Sequence, residues 1–158
     1  MHIHVEVGPA PIDSATSGSS FRAGLKRDSA SLGAICSFEG LVRDYGDGSD
    51  VVALDLEHYP GMTERSLRQI AGTAADRWPL LAISILHRVG RIELGEVVVI
   101  VSVASSHRQA AFDACAYIMD LLKTEAPFWK KEIGTRGERW VASKESDDLA
   151  AKRWAPTK

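Results

Sequence analysis

Two lysines flank a proline and two aromatic residues in the segment Lys123-Thr-Glu-Ala-Pro-Phe-Trp-Lys130. A lysine held among apolar side chains in a partly dry pocket has a lowered pKa, so it can act as an acid, a base or a nucleophile. The alternative is a pair of ordinary charged residues at the end of a core helix. The spacing alone leaves both interpretations open.

A second group of cations precedes the helical pattern that leads to Lys123. His107 and Arg108 would lie in the first turn, where a positive charge opposes the helix dipole. A bound anion such as phosphate, held by free backbone N–H groups and the arginine together, would make that arrangement favourable. A solvated arginine and a hydrogen-bonded histidine explain the same residues without a ligand.

Three further candidates lie on predicted strands. Arg43 ends a strand just before the turn-rich loop 44–50, a common place for a ligand contact, although a solvated strand-end arginine is the simpler explanation. Lys130 and Glu132 share one strand face, where such a pair is usually a surface ion pair of little energetic value. Glu57 and His58 are adjacent on a strand and point to opposite faces, so we predict no metal site there.

The elements that must position these residues mix strands and helices without strict alternation, which favours an α+β fold with a largely antiparallel sheet. Alternating and β-rich runs predict strands at residues 3–7, 31–43, 51–58, 82–89, 96–102, 128–133 and 139–142. Helical periodicity predicts helices at residues 21–27, 60–77, 107–125 and 146–154.

Several local details accompany these elements. Residues 9–20, rich in Pro, Ser and Gly, are expected to form a loop, and residues 82–89 and 96–102 a hairpin. Gly33 and Gly40 indicate a bulge or a close backbone approach. Ser106 is expected to cap the long helix.

The long helix carries two stripes at i+3/i+4 spacing. One is apolar and predicts a core face, with Ala111, Ala114, Ile118 and Leu122. The other runs Arg108, Phe112, Cys115, Met119 and Lys123. This second stripe places Arg108 and Lys123 near the same face, four turns apart.

Composition narrows the class of protein. At 158 residues, with 45% hydrophobic and 25% charged residues and a net charge of −2, the chain is expected to form a single domain spanning 1–158 without a general affinity for nucleic acid or anionic membranes. The longest apolar stretch, residues 97–104, is too short to cross a bilayer, and the N-terminus lacks the pattern of a signal peptide. Cys36 and Cys115 match no metal or redox motif and are expected to be buried thiols. We therefore expect a cytoplasmic protein.

Taken together, the chain resembles the catalytic (large) subunit of molybdopterin synthase. The lysine segment is the most specific match, and the similarity covers nearly the whole chain from about Gly33 to Trp154. The matching stretches are residues 38–43, 56–64, 87–90, 106–108 and 119–132, extended by 139–141 and 144–147.

The resemblance implies an α/β-hammerhead fold and a sulfurtransferase of molybdenum cofactor biosynthesis. It also implies a homodimer that forms a heterotetramer with two copies of a small ubiquitin-like sulfur-carrier subunit. The carrier's thiocarboxylated Gly-Gly tail would deliver sulfur to cyclic pyranopterin monophosphate, forming the dithiolene of molybdopterin. Because the sulfur arrives on the partner, no metal or organic cofactor is expected on this chain.

The resemblance also assigns residues. Lys123 and Lys130 fall on the catalytic positions, and Phe38 and Met119 on pocket-lining positions. The implied substrate-binding residues are Leu41, Val42, Arg43, His107, Arg108, Lys123, Lys130, Lys131 and Glu132. Two other classes of protein fit the cations less well: a non-catalytic phosphate-ligand-binding module, and a docking scaffold for a ubiquitin-like partner. Neither role needs two lysines around an apolar turn.

Overall fold

Helices and strands are interleaved along the chain in the computed structural model, which describes residues 1–25, 30–44, 50–142 and 145–155. The helices are α1 (Ser14–Gly24), α2 (Met62–Arg77), α3 (Arg108–Glu125) and α4 (Glu145–Lys152). The strands are β1 (His2–Gly8), β2 (Ala34–Leu41), β3 (Val51–His58), β4 (Leu80–Arg88), β5 (Gly90–Glu93), β6 (Val97–Ser105), β7 (Phe128–Gly134) and β8 (Gly137–Val141). No helix within these described ranges is long and apolar enough to cross a membrane.

The strands form two four-stranded sheets. Sheet A has the order β1-β4-β6-β2 and sheet B the order β5-β3-β7-β8. Every pairing is antiparallel except that of β1 with β4. The prediction of an α+β fold with largely antiparallel pairing is confirmed. The expected hairpin is only partly right, because β4 and β6 pair with each other while β5, between them in sequence, joins sheet B.

The main core lies between one face of sheet A and the helices α2 and α3. Ile83, Ile85 and Val101 from the sheet pack against Leu67 of α2 and Ile118 of α3, and all five are nearly or completely buried. The predicted apolar stripe of α3 is buried throughout: Ala111, Ala114, Ile118 and Leu122. Burying one face of each helix against β4 and β6 fixes the direction of α3, and with it the positions of both cationic ends.

The opposite face of sheet A is covered by α1 and by Leu25, the residue after it. Leu25 packs there on Ala82 and Ala104, with Phe21 beside it. The prediction of a loop at residues 9–20 is right for residues 9–13 and wrong for residues 14–20, because the helix begins at Ser14. The side chain of Asp13 caps it by accepting hydrogen bonds from Ala15 N and Thr16 Oγ1, which lowers the pKa of that carboxyl.

Other predicted bounds agree with the structure to within a few residues. The register shift between Gly40 and Leu41 is the expected bulge. At the predicted close approach, a Cβ on Gly33 would overlap the carbonyl group of Ser106. Residues 26–27 of the helix predicted at 21–27 and residues 45–49 of the loop predicted at 44–50 lie outside the described residues.

The two sheets are joined by a ring contact at the start of the lysine segment's strand. Phe128 of β7 stacks on His87 of β4, with ring centroids 3.9 Å apart. Thr63 of α2 donates a hydrogen bond to the carbonyl of Pro127. These contacts anchor the segment between Lys123 and Lys130 to sheet A and to α2.

Candidate functional site

Lys123 lies in the last turn of α3, where a cation is favoured by the helix dipole. Its side chain is 50% exposed, and its Nζ lies 3.5 Å from Oδ1 of Asp147 in the first turn of α4. The dry pocket predicted around this lysine is therefore not completed by this chain on its own. Another chain or the substrate would have to supply the remaining cover.

Lys130, Glu132 and Arg139 occupy one face of sheet B. Lys130 and Glu132 alternate along β7, and Glu132 is paired in register with Arg139 on β8. The Glu132 side chain is only 5% exposed, with Arg139 Nη2 donating to its Oε2 at 2.6 Å. Lys130 Nζ lies 3.9 Å from the other carboxylate oxygen. The expected surface ion pair is thus a buried carboxylate between two cations.

Lys131 lies on the opposite face of sheet B from Lys130, as strand alternation requires. Its Nζ is 3.1 Å from Glu138 and 3.6 Å from Asp55, and it lies over the ring of Trp140. These carboxylates, Glu138 first, raise the pKa of Lys131. The structure therefore does not bring the Lys131 side chain together with Lys130 and Glu132.

His107 and Arg108 are exposed at the other end of α3. His107 is the N-cap residue, and its backbone N–H donates to the Ser105 hydroxyl, so the prediction that Ser106 caps the helix is wrong. Arg108 is exposed in the first turn, whose backbone N–H groups have no acceptor within the helix, and both features suit the binding of an anion.

The two cationic ends are far apart in one chain. At about 1.5 Å of rise per residue, the α carbons of Arg108 and Lys123 are about 22 Å apart along the helix axis. The predicted stripe is also only partly exposed, because Cys115 and Met119 are buried while Phe112 is exposed. The predicted site residues at the two ends of α3 therefore lie in two separate groups in one chain.

Leu41, Val42 and Arg43 follow the bulge at the end of β2. Val42 is buried, while Leu41 and Arg43 are exposed. Val42 N donates to the carbonyl of Glu96, and Gly95 N donates back to the carbonyl of Val42. This tie to the turn before β6 sets the position from which Arg43 projects.

Phe38 and Met119 lie on either side of a buried thiol. Phe38 is partly exposed on β2, and its backbone is hydrogen-bonded with Cys115, one helical turn before Met119 on α3. Burial raises the pKa of the Cys115 thiol to about 12, with Cys36 beside it. Both cysteines are free, as predicted, and Cys115 is buried, but Cys36 is only partly buried. A thiol with so high a pKa is a poor nucleophile.

The structure adds three residues that were not predicted as site residues: His87, Arg139 and Asp147. Arg139 could have been found from sequence, because a two-residue turn at 135–136 fixes the register that pairs it with Glu132. His87 and Asp147 make contacts between elements distant in sequence, for which no local pattern exists.

The remaining features of the described residues do not compete with this site. Within the described ranges, no group of three or more His, Cys, Asp or Glu side chains could hold a metal ion. A cavity of about 470 Å³ lies between α1, β1 and β4, on the other side of sheet A from α3, and none of the predicted site residues, all of which are described, lines it.

Comparison with known proteins gives concordant matches. Residues 10–125 match the family model described as MoaE protein. The molybdopterin synthase catalytic subunit of Pseudomonas aeruginosa is 56% identical over 130 residues, which are 82% of this chain and 87% of that protein.

Two solved structures extend the match to the fold. The molybdopterin biosynthesis MoaE protein from Burkholderia ambifaria has a TM-score of 0.79 and 42% identity, covering 99% of this chain and 100% of that one. Molybdopterin synthase from Staphylococcus aureus has a TM-score of 0.77 and 31% identity, covering 87% of this chain and 96% of that one.

The fold and these matches define the class of protein, a transferase of molybdenum cofactor biosynthesis. The chain belongs to the MoaE family, whose curated members are molybdopterin synthase catalytic subunits. The predicted family, fold and enzyme class are thereby confirmed.

Proposed function

We propose that this chain forms the catalytic site in which sulfur passes from a thiocarboxylated carrier tail to cyclic pyranopterin monophosphate. The observation that carries the proposal is the arrangement of the cations in two half-sites: Lys123 in the last turn of α3 with Lys130 on β7, the strand that follows that helix, and His107 with Arg108 at the start of α3. A phosphate-bearing substrate and a negatively charged thiocarboxylate need both kinds of cation.

The arginine end of α3 suits the substrate's phosphate. Arg108 presents a guanidinium beside the free N–H groups of the helix, and guanidinium binds phosphate oxygens in a bidentate manner. Arg43, exposed after β2, is the second candidate for this contact. His107 adds a hydrogen-bond donor at the same end.

The lysine end suits the sulfur transfer. Lys123 is proposed to move the proton at the reacting carbon, and Lys130 to orient the thiocarboxylate and stabilise the negative charge that develops as sulfur attacks. Phe38 and Met119 would line the approach. Neither cysteine is needed as a sulfur relay, because the sulfur arrives on the carrier.

A homodimer would bring the two half-sites together. The α carbons of Arg108 and Lys123 are about 22 Å apart along α3, so a pterin phosphate would contact both ends of one helix only with both side chains extended toward each other along it. A symmetric dimer can place the arginine end of one protomer beside the lysine end of its partner. With a small ubiquitin-like carrier on each protomer, the assembly would be a cytoplasmic heterotetramer built on a single domain, residues 1–158.

Reconstitution tests this proposal. Wild-type protein, thiocarboxylated carrier and cyclic pyranopterin monophosphate should yield the dithiolene product, detected by mass. Lys123→Ala should lower kcat by about 10²–10⁴-fold, the usual contribution of a positioned proton donor or acceptor. Lys130→Ala should lower kcat by about 10²–10³-fold, the usual contribution of a donor that stabilises developing negative charge. Both variants should still bind the carrier.

Lys152→Ala is the matched control, since Lys152 is an exposed helical lysine at the end of α4. Its turnover should equal that of the wild type. Absence of product with wild-type protein, or near-normal turnover of Lys123→Ala, would refute the corresponding part of the proposal. Binding of the phosphate compound without turnover would favour a binding module instead.

A further inference from the structure

In the ion cluster of Lys130, Glu132 and Arg139 on sheet B, the two cations lie at unequal distances from the carboxylate, and this difference bears on catalysis. Glu132 is buried beside Leu54, its cross-strand partner on β3, at the margin of a small apolar cluster with Ile92. A carboxylate in such a place must be compensated by positive charge. Among the described residues, Arg139 and Lys130 form ion pairs with this carboxylate, and their distances from it differ.

Arg139 is the close partner of this carboxylate. Its Nη2 donates to Oε2 of Glu132 at 2.6 Å, a short charge-assisted hydrogen bond. Lys130 Nζ is 3.9 Å from Oε1, beyond hydrogen-bond distance of that oxygen. Both oxygens belong to the Glu132 carboxylate, so its strong hydrogen bond with Arg139 limits its attraction for the Lys130 ammonium.

We infer that Arg139 is a positioning residue. By holding the Glu132 carboxylate, Arg139 keeps the Lys130 ammonium near that carboxylate but prevents the carboxylate from binding the ammonium tightly. This inference rests on the proposed role of Lys130. Without Arg139, the buried charge of Glu132 would draw Lys130 into a direct ion pair, away from the reacting thiocarboxylate. Arg139 itself does not need to touch the substrate.

The orientation of the strands supports an indirect role. Arg139 is paired with Glu132 across β7 and β8, two residues from the position facing Lys130, which is occupied by Val141. The guanidinium reaches inward to the buried carboxylate although 61% of its side chain is exposed. An exposed arginine that donates a short hydrogen bond to a buried carboxylate is suited to fixing the position of that carboxylate.

Arg91 offers a closely matched control. Its Nε lies 2.6 Å from Oε1 of Glu93, and its side chain is 55% exposed, but Glu93 is itself exposed and on the edge strand β5. Arg91→Gln therefore removes, from the same sheet, an arginine of similar exposure and an ion pair of the same length, but one whose carboxylate is exposed. It should leave turnover within about twofold of wild type, as expected for a surface pair.

Steady-state kinetics of the reconstituted complex tests the inference. Arg139→Gln should lower kcat by on the order of tenfold to a hundredfold, the cost of displacing a reacting group by about 1 Å, with KM for the substrate unchanged. Arg139→Lys, which keeps the cation, should recover most of the loss. Unchanged kcat in Arg139→Gln would overturn the inference, and so would a rise in KM alone or a loss that Arg139→Lys does not rescue.

A second readout is independent of turnover. The lysines are ¹³C-methylated, and the NMR resonance of Lys130 is identified by its absence from Lys130→Arg. This resonance should shift in Arg139→Gln and keep its position in Arg91→Gln. An unmoved resonance overturns the positioning role whatever the activity. Lack of turnover by the wild-type complex, with the resonance shifting as expected, would refute the proposed function and leave the contact with Arg139 established.

Discussion

At the scale of single residues, charged and ionisable side chains are divided between the site and the core. His87 belongs to the core although it borders the site, because its ring stacks on Phe128 and its Nδ1 lies 2.9 Å from the Arg88 carbonyl. Burial lowers the pKa of His87 to about 4, with His58 adding a smaller repulsion. The lysine segment is thus anchored by a histidine that must stay neutral.

This histidine makes stability depend on pH. The folded pKa of about 4 lies below the ordinary value of 6.5, so the unfolded state binds the proton more readily. Stability is therefore full above pH 6.5 and decreases as the pH falls toward 4, by up to about 3 kcal/mol. Urea unfolding of wild type and His87→Asn across this range measures the difference.

His4→Gln is the control for that titration, because His4 is exposed on β1. It should keep the wild-type decrease in unfolding free energy, whereas His87→Asn should flatten it. If His87→Asn and wild type lose stability in parallel between pH 6.5 and 4, the neutral buried ring is not the cause.

At the scale of elements, the close contact between β2 and α3 positions the arginine end of the helix. Gly33 N donates to the Ser105 carbonyl, and the glycine α carbon faces the Ser106 carbonyl directly, leaving no room for a side chain. Ser106 is followed by His107 and Arg108. Gly33, the residue before β2, therefore helps to position His107 and Arg108, the two predicted substrate contacts at the start of α3.

Gly33→Ala should accordingly destabilise the fold by about 1–3 kcal/mol, the usual cost of overpacking, and raise KM for the substrate. Gly18→Ala in α1 is the comparison, since no atom lies within 4 Å of its added Cβ and alanine favours a helix. Denaturant unfolding compares the two variants. Equal stability of Gly33→Ala and Gly18→Ala would show that Gly33 and the Ser106 carbonyl are not in such close contact.

The elements also explain how far sequence could predict this molecule. The apolar stripe from Ala111 to Leu122 and the proline that follows the helix were sufficient to predict α3 from sequence, because one face of that helix is buried. The helix α1 was missed, because Ser and Gly have low helix propensity and the side-chain cap from Asp13 outweighs them only when the helix packs on sheet A. The pairing of Glu132 with Arg139 follows from hairpin register, whereas the stacking of His87 on Phe128 joins two sheets and has no local signature.

At the scale of the whole molecule, the central feature is the separation of the two cationic ends of α3. The helix is rigid, packed on sheet A along its length, and cannot bend to bring Arg108 to Lys123. The proposed function places phosphate binding and sulfur transfer in one site. The proposed dimer, in which each site would take its arginine end from one protomer and its lysine end from the other, would reconcile this function with the separation.

Mixing two inactive variants tests this account most directly. Arg108→Ala removes the proposed phosphate contact and Lys130→Ala the proposed sulfur-transfer lysine, so each is expected to be nearly inactive alone. The two variants are unfolded together, refolded, and assayed for dithiolene formation with carrier and substrate. Random pairing makes half of the dimers mixed, and each mixed dimer has one intact site if the sites are shared, so turnover should return to about a quarter of wild type. If the mixture stays as inactive as its components while mixed dimers are shown to form, each site lies within a single chain and the account is contradicted.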